Sequence, residues 1–368
     1  MKIEVYSPTI RRKEMDAVLT AMVEDKIGPG ERARLLIRTA KEFLCFDYAL
    51  SLRGPAGALY LALKALDLED GRGVLVSALS PDYYIRVIRE LRLKPVYCDV
   101  SSALPCINRE TVERALGENT GGEKPAAGCI LLHHTLGFQP DTASIAELGL
   151  PVIEDISQSY GSFSADKPGD DVPDGEPEAG ASGNFRTQKE RIQGVFTILG
   201  LEERDMLTSG GGALLYAMNR RDASVLRNYG ELPSECCLPD INAALAAVQF
   251  KETGRNFEKR KEIARIYTQA SLHTRHKRFI PLDEGRYNNY AFPLVLETGL
   301  KDVMNYARKK EIIVESAFEH TPAGQGLSDP SLCPEAYSLS LRTVLFPLYP
   351  RLRSQDAERV SKLIRTLP

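Results

Sequence analysis

Short apolar segments alternate with helical patterns between about residue 50 and residue 153, and no other feature of the sequence constrains the fold as strongly. The apolar segments are too short for helices and lie at 73–76, 94–98, 128–132 and 151–153. Amphipathic patterns separate them, at 82–91, 109–116 and 144–148. Parallel strands need such crossover helices. The alternation therefore predicts a mainly parallel α/β sheet with helices on both faces, and it places ligands at the carboxyl ends of the strands.

The rest of the chain predicts further elements around this sheet. Helical spacing indicates helices over 10–24, about 35–43, 241–272, 300–309 and 357–364. Extended segments are predicted near residue 50 and at 194–200, 208–216, 290–296 and 312–314. We expect the long helix over 241–272 to link a large domain, residues 1–250, to a smaller C-terminal α+β domain, residues 251–368.

Composition and charge exclude several functional classes. The 368 residues carry a formal net charge of -3 and no basic block, which argues against nucleic acid as a partner. No apolar run reaches bilayer length and the first residues are charged, so we expect a cytoplasmic protein without membrane spans. The seven cysteines include no C-x-x-C pair and are expected to be reduced thiols, not a disulfide framework or a metal site.

Residues 162–193 differ in composition from their surroundings. They are rich in acidic residues, glycine and proline and contain few large apolar side chains. Such a composition is typical of an exposed loop. The sequence leaves open whether this acidic loop becomes ordered when a ligand binds.

A candidate site follows the last strand of the alternating region. The segment LPVIEDISQSYG, residues 150–161, ends its apolar run at Asp155, and Gln158 follows among small residues that leave room for a flat ligand. A buried carboxylate needs a partner, and a protonated pyridine nitrogen would be a suitable cation. A helix cap, a turn or a magnesium ligand are the alternatives for an aspartate in this position. The turn from Gly54 to Gly57 could bind an anion at a helix start, or could simply connect a strand to a helix.

Five segments, taken together, resemble the DegT/DnrJ/StrS family of sugar aminotransferases. They are residues 94–99, 134–141, 152–161, 209–214 and 333–350, in the order and near the spacing of the family. The resemblance implies the type I aminotransferase fold, with a large domain around a mainly parallel seven-stranded-type sheet. It also implies pyridoxal phosphate as the cofactor, a homodimer with active sites at the subunit interface, and transfer of an amino group to a keto sugar carried on a nucleotide.

The resemblance also assigns roles to individual residues. Asp155 resembles the partner of the pyridine nitrogen, Gln158 the residue beside the ring, and Thr197 the hydroxyl residue that binds the cofactor phosphate. Gly54 and Ala56 fall in the phosphate-binding turn.

Further positions concern the ring and the substrate. The aromatic residue that stacks on the ring falls at Pro81, so Tyr83 or Tyr84 would have to replace it. His134 and His320 are candidates for binding the substrate.

The lysine that forms the Schiff base is the main departure from the family. Counting forward from the strand at 194–200 places Glu202 there, and counting back from the glycines places Arg204. Neither a carboxylate nor a permanently protonated guanidinium can attack the cofactor aldehyde. The chain has no lysine between Lys189 and Lys251, and no histidine there either.

Two other contacts of the family differ as well. Pro55 follows Gly54 in the phosphate turn and supplies neither a hydroxyl nor an N–H. The asparagine that the neighbouring subunit lends to the phosphate falls near Glu235, whose carboxylate would repel it.

Three functions follow from these departures. The sequence favours a homologue that keeps the fold without transaminase activity and binds a nucleotide sugar or a partner protein. The first alternative is an active aminotransferase or dehydratase that uses an unusual residue such as Lys189. The second is an enzyme that holds the amine form of the cofactor noncovalently through Asp155 and Thr197.

Overall fold

The computed structural model describes residues 2–117, 126–162, 192–297 and 299–368, and these form ten strands and twelve α-helices. The strands are β1 (Tyr48–Leu52), β2 (Gly73–Ser77), β3 (Lys94–Cys98), β4 (Ala127–His133), β5 (Val152–Asp155), β6 (Phe196–Gly200), β7 (Ala213–Ala217), β8 (Phe292–Val295), β9 (Glu315–Ser316) and β10 (Thr343–Phe346). The helices are α1 (Arg12–Val23), α2 (Glu31–Leu44), α3 (Pro55–Ala65), α4 (Tyr83–Glu90), α5 (Arg109–Gly117), α6 (Thr142–Ala146), α7 (Arg220–Arg227), α8 (Asp240–Lys251), α9 (Thr253–Ser271), α10 (Leu300–Lys309), α11 (Pro334–Arg342) and α12 (Ser354–Arg365).

Seven strands form one sheet in the order β1-β7-β6-β5-β4-β2-β3. Strand β7 runs antiparallel to both of its neighbours, and the remaining pairs are parallel. Helices α3, α4 and α7 cover one face, while α2, α5, α6 and α8 cover the other. The predicted mainly parallel sheet with helices on both faces is confirmed.

The C-terminal part contains a second, antiparallel sheet in the order β8-β10-β9. Its apolar side chains pack with α9, α10 and α12 in a separate hydrophobic cluster. The boundary between two domains at residue 250 stays a prediction.

The predicted long helix over 241–272 is divided in the structure. Helix α8 ends at Lys251 and α9 begins at Thr253, because Glu252 between them leaves the helical region with φ -92° and ψ 3°. The Glu252 carboxylate contacts Lys13 of α1 at 2.5 Å. The break therefore coincides with a tertiary ion pair that helical periodicity does not reveal.

Two helices were not predicted, and one predicted segment cannot be compared. Helix α7 begins after Asn219, whose side chain accepts a hydrogen bond from the backbone of Asp222, and α11 begins with Pro334 in its first turn. Most of the predicted acidic loop, together with Lys189, lies outside the described residues. None of the described helices has the length and apolar character needed to cross a membrane.

Candidate active site

A cleft of about 660 Å³ lies where the carboxyl ends of the parallel strands face the segment 315–321. Strands β4 and β5 end level with each other, since His133 pairs with Asp155 in the register of the sheet. The cleft is lined by Leu79, Pro81, His133, Thr135, Leu136, Gln158, Arg204, Asp205, Tyr290, Glu315, Ser316, Ala317, Phe318, Glu319, His320, Thr321 and Leu345. Its position at the strand ends agrees with the expectation for ligand sites in such sheets.

The predicted site residues divide into two groups by their relation to this cleft. Gln158, Arg204 and His320 line it. The others do not belong to its lining, and they are Gly54, Ala56, Tyr83, His134, Asp155, Thr197, Glu202 and Glu235. The cleft therefore brings together a smaller set of residues than the resemblance implies.

Asp155 is buried and already surrounded by donors. Its Oδ1 accepts hydrogen bonds from the backbone N–H and the hydroxyl of Ser157, at 2.9 and 2.5 Å. Its Oδ2 accepts from the hydroxyl of Tyr84 at 2.5 Å and from that of Tyr83 at 3.4 Å. The Ser157 hydroxyl in turn accepts from the backbone N–H of Gly200 at 2.7 Å. Four neutral donors of the chain itself therefore satisfy the carboxylate, and its role beside a pyridine nitrogen stays a prediction.

Tyr83 and Tyr84 lie at the start of α4, and both hydroxyls contact Asp155. The Tyr84 side chain is fully buried, with its ring edge-on to those of Tyr83 and His133 at centroid distances of 4.9 and 6.0 Å. Burial, followed by the charge of Asp155, raises the pKa of both phenols well above the usual value. Both tyrosines therefore keep their protons and act as donors at neutral pH.

Of the two adjacent histidines, His133 reaches the cleft and His134 does not. Burial lowers the pKa of His133 to about 4, so its ring is neutral at pH 7. The His134 side chain is only 1% exposed: its Nδ1 lies 2.8 Å from the Ser159 hydroxyl and its Nε2 lies 3.3 Å from the Glu154 carboxylate. His134 follows the last residue of β4 and is held inside the fold by these two contacts, and its role in substrate binding stays a prediction.

The turn after β4 is held tightly against the cleft. The Gln158 side-chain oxygen accepts a hydrogen bond from the backbone N–H of Leu136 at 2.6 Å, and Leu136 has a φ of 54°. Gly137 follows with a φ of 82°, and a Cβ placed there would lie 2.6 Å from the Asn288 side-chain oxygen. A left-handed leucine is a strained conformation that surrounding contacts must maintain. Gln158 thus stabilises the turn through this hydrogen bond and also lines the cleft.

The region expected to carry the lysine presents three charged side chains. Arg204 lines the cleft and forms an ion pair with Glu315, with N–O distances of 2.7 and 3.3 Å. Asp205 lines it too, accepts a hydrogen bond from the backbone N–H of Glu202 at 2.8 Å, and has its pKa raised by burial to about 7. The Glu202 side chain turns away towards Gly54 at the start of α3, where its Oε1 would lie 3.4 Å from a Cβ on that glycine.

Thr197 and Glu235 occupy positions that the resemblance relates to the cofactor phosphate, Glu235 across the subunit interface, and both roles stay predictions. Thr197 pairs with Glu154 on one side and with Tyr216 on the other, so its side chain shares their face of the sheet, opposite to that of Asp155. Glu235 lies in a short 3₁₀ turn, Ser234–Cys236, whose last carbonyl accepts a hydrogen bond from the backbone of Arg53. Neither side chain reaches Asp155 or the cleft.

Asp205, Tyr290 and Glu315 are among the cleft residues that the sequence analysis missed. Asp205 follows the expected lysine position directly, and its proximity was the only signal available. Tyr290 and Glu315 come from the C-terminal part, and their place in the cleft depends on packing across the molecule. No group of histidine, cysteine or acidic residues suited to a metal ion occurs among the described residues.

Comparison with known proteins gives a consistent set of matches. The sequence profile of the DegT/DnrJ/EryC1/StrS aminotransferase family matches residues 8–176 and 217–365. A dTDP-4-dehydro-2,3,6-trideoxy-D-glucose 4-aminotransferase from Saccharopolyspora spinosa is 23% identical over 98% of this chain and 95% of its own length.

Solved structures of low sequence identity share the whole fold. The putative sugar aminotransferase Spr1654 from Streptococcus pneumoniae, in its PMP form, has a TM-score of 0.81 at 16% identity, over 100% of this chain and 97% of that one. A mutant of GDP-4-keto-6-deoxymannose-3-dehydratase (ColD) with bound GDP-perosamine has a TM-score of 0.79 at 12% identity, over 98% of this chain and 100% of that one. The predicted type I aminotransferase fold is confirmed by these likenesses.

Proposed function

Because the chain belongs to the DegT/DnrJ/EryC1/StrS aminotransferase family, we propose that its cleft binds a nucleotide sugar and that it does so without transaminase activity. The observation that carries the second part is the set of four hydrogen bonds that Asp155 accepts from its own chain. Pyridoxal phosphate would need partners for three of its groups: the pyridine nitrogen, the phosphate and the aldehyde.

At the pyridine end, Asp155 has no acceptor position left for a ring N–H. A carboxylate offers about four lone-pair positions, and four protein donors already occupy them. A pyridine nitrogen would have to displace Tyr84, which is fully buried among other rings. These contacts do not fit the cofactor.

At the phosphate end, the start of α3 carries the wrong groups for a dianion. Pro55 occupies the first helical position and has no N–H to donate. The Glu202 carboxylate lies beside Gly54. It would repel a phosphate bound at this helix start, because both groups are negative. The helix start therefore offers less attraction to a phosphate than an ordinary helix N-terminus does.

At the aldehyde end, the lining of the cleft contains no amine in the described part of the chain. Arg204 remains charged and is occupied by Glu315. Without a lysine, the cofactor could not be held as a Schiff base. All three ends thus support the proposal that this family member has lost covalent cofactor chemistry.

The cleft itself remains suited to a nucleotide sugar. Its volume of about 660 Å³ lies within the range of small-molecule sites, roughly 300–1,000 Å³. Arg204 and His320 offer cationic or donor groups, and Leu79 and Phe318 offer apolar surface. The names of the Saccharopolyspora relative and of the ColD complex both refer to sugars carried on nucleotides, which supports the same ligand class here.

A homodimer and a reducing compartment are part of the same proposal. Helix α1 presents Met15, Leu19, Met22 and Val23 to solvent, each at least half exposed. Apolar residues grouped in this way are typical of an interface, which supports self-association. All seven cysteines are free thiols, as expected in the cytoplasm.

A second candidate function is proton transfer to a bound sugar without any cofactor. It is favoured by Asp205, a cleft carboxyl group whose pKa is raised by burial to about 7. A carboxyl group with a pKa near the working pH is suited to give or take a proton from a sugar hydroxyl. His133, neutral and on the same cleft, would be a neighbouring acceptor.

Spectroscopy and calorimetry test the proposal together. Titration of the purified protein with stoichiometric pyridoxal phosphate should give no saturable visible band that borohydride fixes to one specific lysine, whereas calorimetry with UDP- and dTDP-sugars should show saturable heat. Glu202→Lys and Arg204→Lys should not create the band, and Glu203→Lys serves as the matched control for an added surface amine. A stoichiometric borohydride-stable adduct on one specific lysine, Lys189 included, would overturn the proposal.

A further inference from the structure

A small side pocket adjoins the cleft at Arg204, Tyr290 and Leu345. It has a volume of about 40 Å³ and is lined by Tyr6, Arg204, Arg260, Tyr290 and hydrophobic side chains. Arg204 and Tyr290 line both the pocket and the cleft, so the two spaces share a wall. Apart from the shared Arg204, the proposed function makes no use of the side pocket.

Arg260 is the unusual residue of this pocket. Its side chain comes from α9 and is only 5% exposed. Nη1 donates to the backbone carbonyls of Tyr290, Leu348 and Asn289 at 2.8, 3.1 and 3.3 Å. Within the described residues, Nε and Nη2 make no hydrogen bond, and no carboxylate lies within ion-pair distance of the guanidinium. A buried charge without a counter-ion is unfavourable.

The surroundings add positive charge and neutral donors near this group. Arg204 lies on the wall of the pocket with its guanidinium 5.9 Å from the centre of the Tyr6 ring, and its ion pair with Glu315 lies on the cleft side. Tyr6 keeps its proton, because burial raises its pKa to about 12. Burial lowers the pKa of Arg260, and the phenols of Tyr290, Tyr6 and Tyr287 act against that shift.

The acidic groups nearby do not neutralise Arg260. Glu203 and Asp205 act on Tyr6, where both raise the phenol pKa, but neither is an ion-pair partner of Arg260. The pocket therefore combines a buried cation that has free donors, a second guanidinium and a phenol hydroxyl, in a space closed by apolar side chains. Such a set of donors is complementary to an anion.

We propose that the side pocket binds a carboxylate group, with Arg260 as its principal partner and Arg204 and Tyr6 beside it. The volume corresponds to roughly three water-sized groups, which matches one carbon and two oxygens and is small for a tetrahedral phosphate. Planar guanidinium groups bind planar carboxylates through paired hydrogen bonds. The site does not require a ligand in the cleft, so it stands apart from the proposed function.

The carboxylate could be a free small molecule or one end of a ligand that lies in the cleft. Formate is the probe for the first case, because it is the smallest carboxylate. UDP-glucuronate and UDP-glucose are the probes for the second, since they differ in a carboxyl group. Competition of formate with UDP-glucuronate but not with UDP-glucose assigns the pocket to a cleft ligand, and lack of competition assigns it to a free carboxylate. Both outcomes support the site.

The decisive experiment is a formate titration of the full-length protein in chloride-free buffer. Calorimetry measures binding, and the thermal unfolding midpoint measures stabilisation. Wild type should show saturable binding and a rising midpoint. Arg204→Gln should weaken the affinity about tenfold, since one charge-assisted hydrogen bond is lost. Arg260→Met should abolish binding, and Arg265→Met, which removes an exposed arginine from the same helix, should leave it unchanged.

Three results would overturn the proposal. The first is an unchanged wild-type midpoint over the whole titration. The second is equal affinity in wild type and Arg204→Gln, a comparison that stands even if Arg260→Met fails to fold. The third is tighter binding of chloride than of formate, which would identify a halide site instead of a carboxylate site.

Discussion

At the end of β5, the Asp155 carboxylate is 2% exposed and accepts its four hydrogen bonds from neutral groups. Burial of a carboxylate is tolerated when its lone pairs are satisfied. Here a neighbouring serine and two tyrosines from α4 provide the donors. The buried carboxylate is thereby satisfied by groups of the same chain.

Tyr84→Phe tests this arrangement. The substitution removes one donor from buried Asp155, and we expect a loss of about 1–3 kcal/mol in the free energy of unfolding, measured by urea denaturation. Tyr83→Phe is the matched control, because its hydrogen bond is longer, at 3.4 Å, and its side chain is less buried. Equal losses in the two variants would contradict the assignment of Tyr84 as the main partner.

A pH-dependent test concerns Asp205 and His133. The folded-state pKa of Asp205 is raised from 3.8 to about 7, so its contribution to stability declines as pH rises from about 4 to about 7. The folded-state pKa of His133 is lowered from 6.5 to about 4, so its contribution declines as pH falls through the range from 6.5 to 4. The two slopes are opposite and offset each other in wild type.

Asp205→Asn should remove one of these slopes and reveal the other. We expect the unfolding free energy of the variant to rise with pH between about 4 and 6.5, by at most about 1.4 kcal/mol per pH unit relative to wild type. Urea denaturation across this pH range measures it. His133→Gln should show the reverse trend, and parallel curves for the three proteins would refute the assigned pKa shifts.

At the scale of elements, the turn between β4 and α6 is the most constrained part of the site. Leu136 and Gly137 both have positive φ, and the Gly137 Cα faces the Asn288 side chain and the Gln158 backbone. Strand β4, the 150–161 segment and residue 288 therefore meet at one glycine. Such a junction fixes the wall of the cleft to the C-terminal part of the chain.

Gly137→Ala tests this junction. An added Cβ would lie 2.6 Å from the Asn288 side-chain oxygen and 3.1 Å from the backbone oxygen of Gln158, so we expect a loss of about 2 kcal/mol or more in unfolding free energy. Gly210→Ala is the control, because it has a similar φ of 72° but open space around it. The control should show only the backbone strain, about 1 kcal/mol. A smaller loss at Gly137 than at Gly210 would be inconsistent with the close contact.

At this scale, the sequence predicted features that depend on neighbouring residues and missed features that depend on residues far apart in the chain. Helix α10 was predicted with its observed bounds because its amphipathic spacing is local. The break at Glu252 was missed because it coincides with a contact to Lys13, 239 residues away. Asp155 was correctly placed at a strand end, but its partner Tyr84 lies 71 residues earlier in the chain. Elements and strand ends were therefore predictable, whereas side-chain partners across the fold were not.

At the scale of the whole molecule, the exposed apolar side of α1 sets an expectation for assembly. Its buried side packs on α8 and its other side remains open to solvent. Leu19 lies in the middle of this open side and is 55% exposed. Stable homodimers need an apolar patch of this kind.

Leu19→Glu should therefore shift the protein towards monomers, because a charge would be buried at the interface. Sedimentation velocity over a range of protein concentrations measures the change. Leu282→Glu is the control, because Leu282 is an exposed leucine, at 78%, that does not belong to α1. An unchanged association state in the Leu19 variant would exclude α1 from the interface.

The hydrogen bond from the Tyr84 hydroxyl to Asp155 bears on how the cellular half-life of the protein depends on coenzyme supply. Enzymes that depend on vitamin B6 gain stability when their coenzyme binds, and their abundance in cells follows its supply. Under the function proposed above, this chain would receive no such support. We therefore expect its half-life to be the same in B6-starved and B6-fed cells, unlike that of a coenzyme-requiring relative produced beside it.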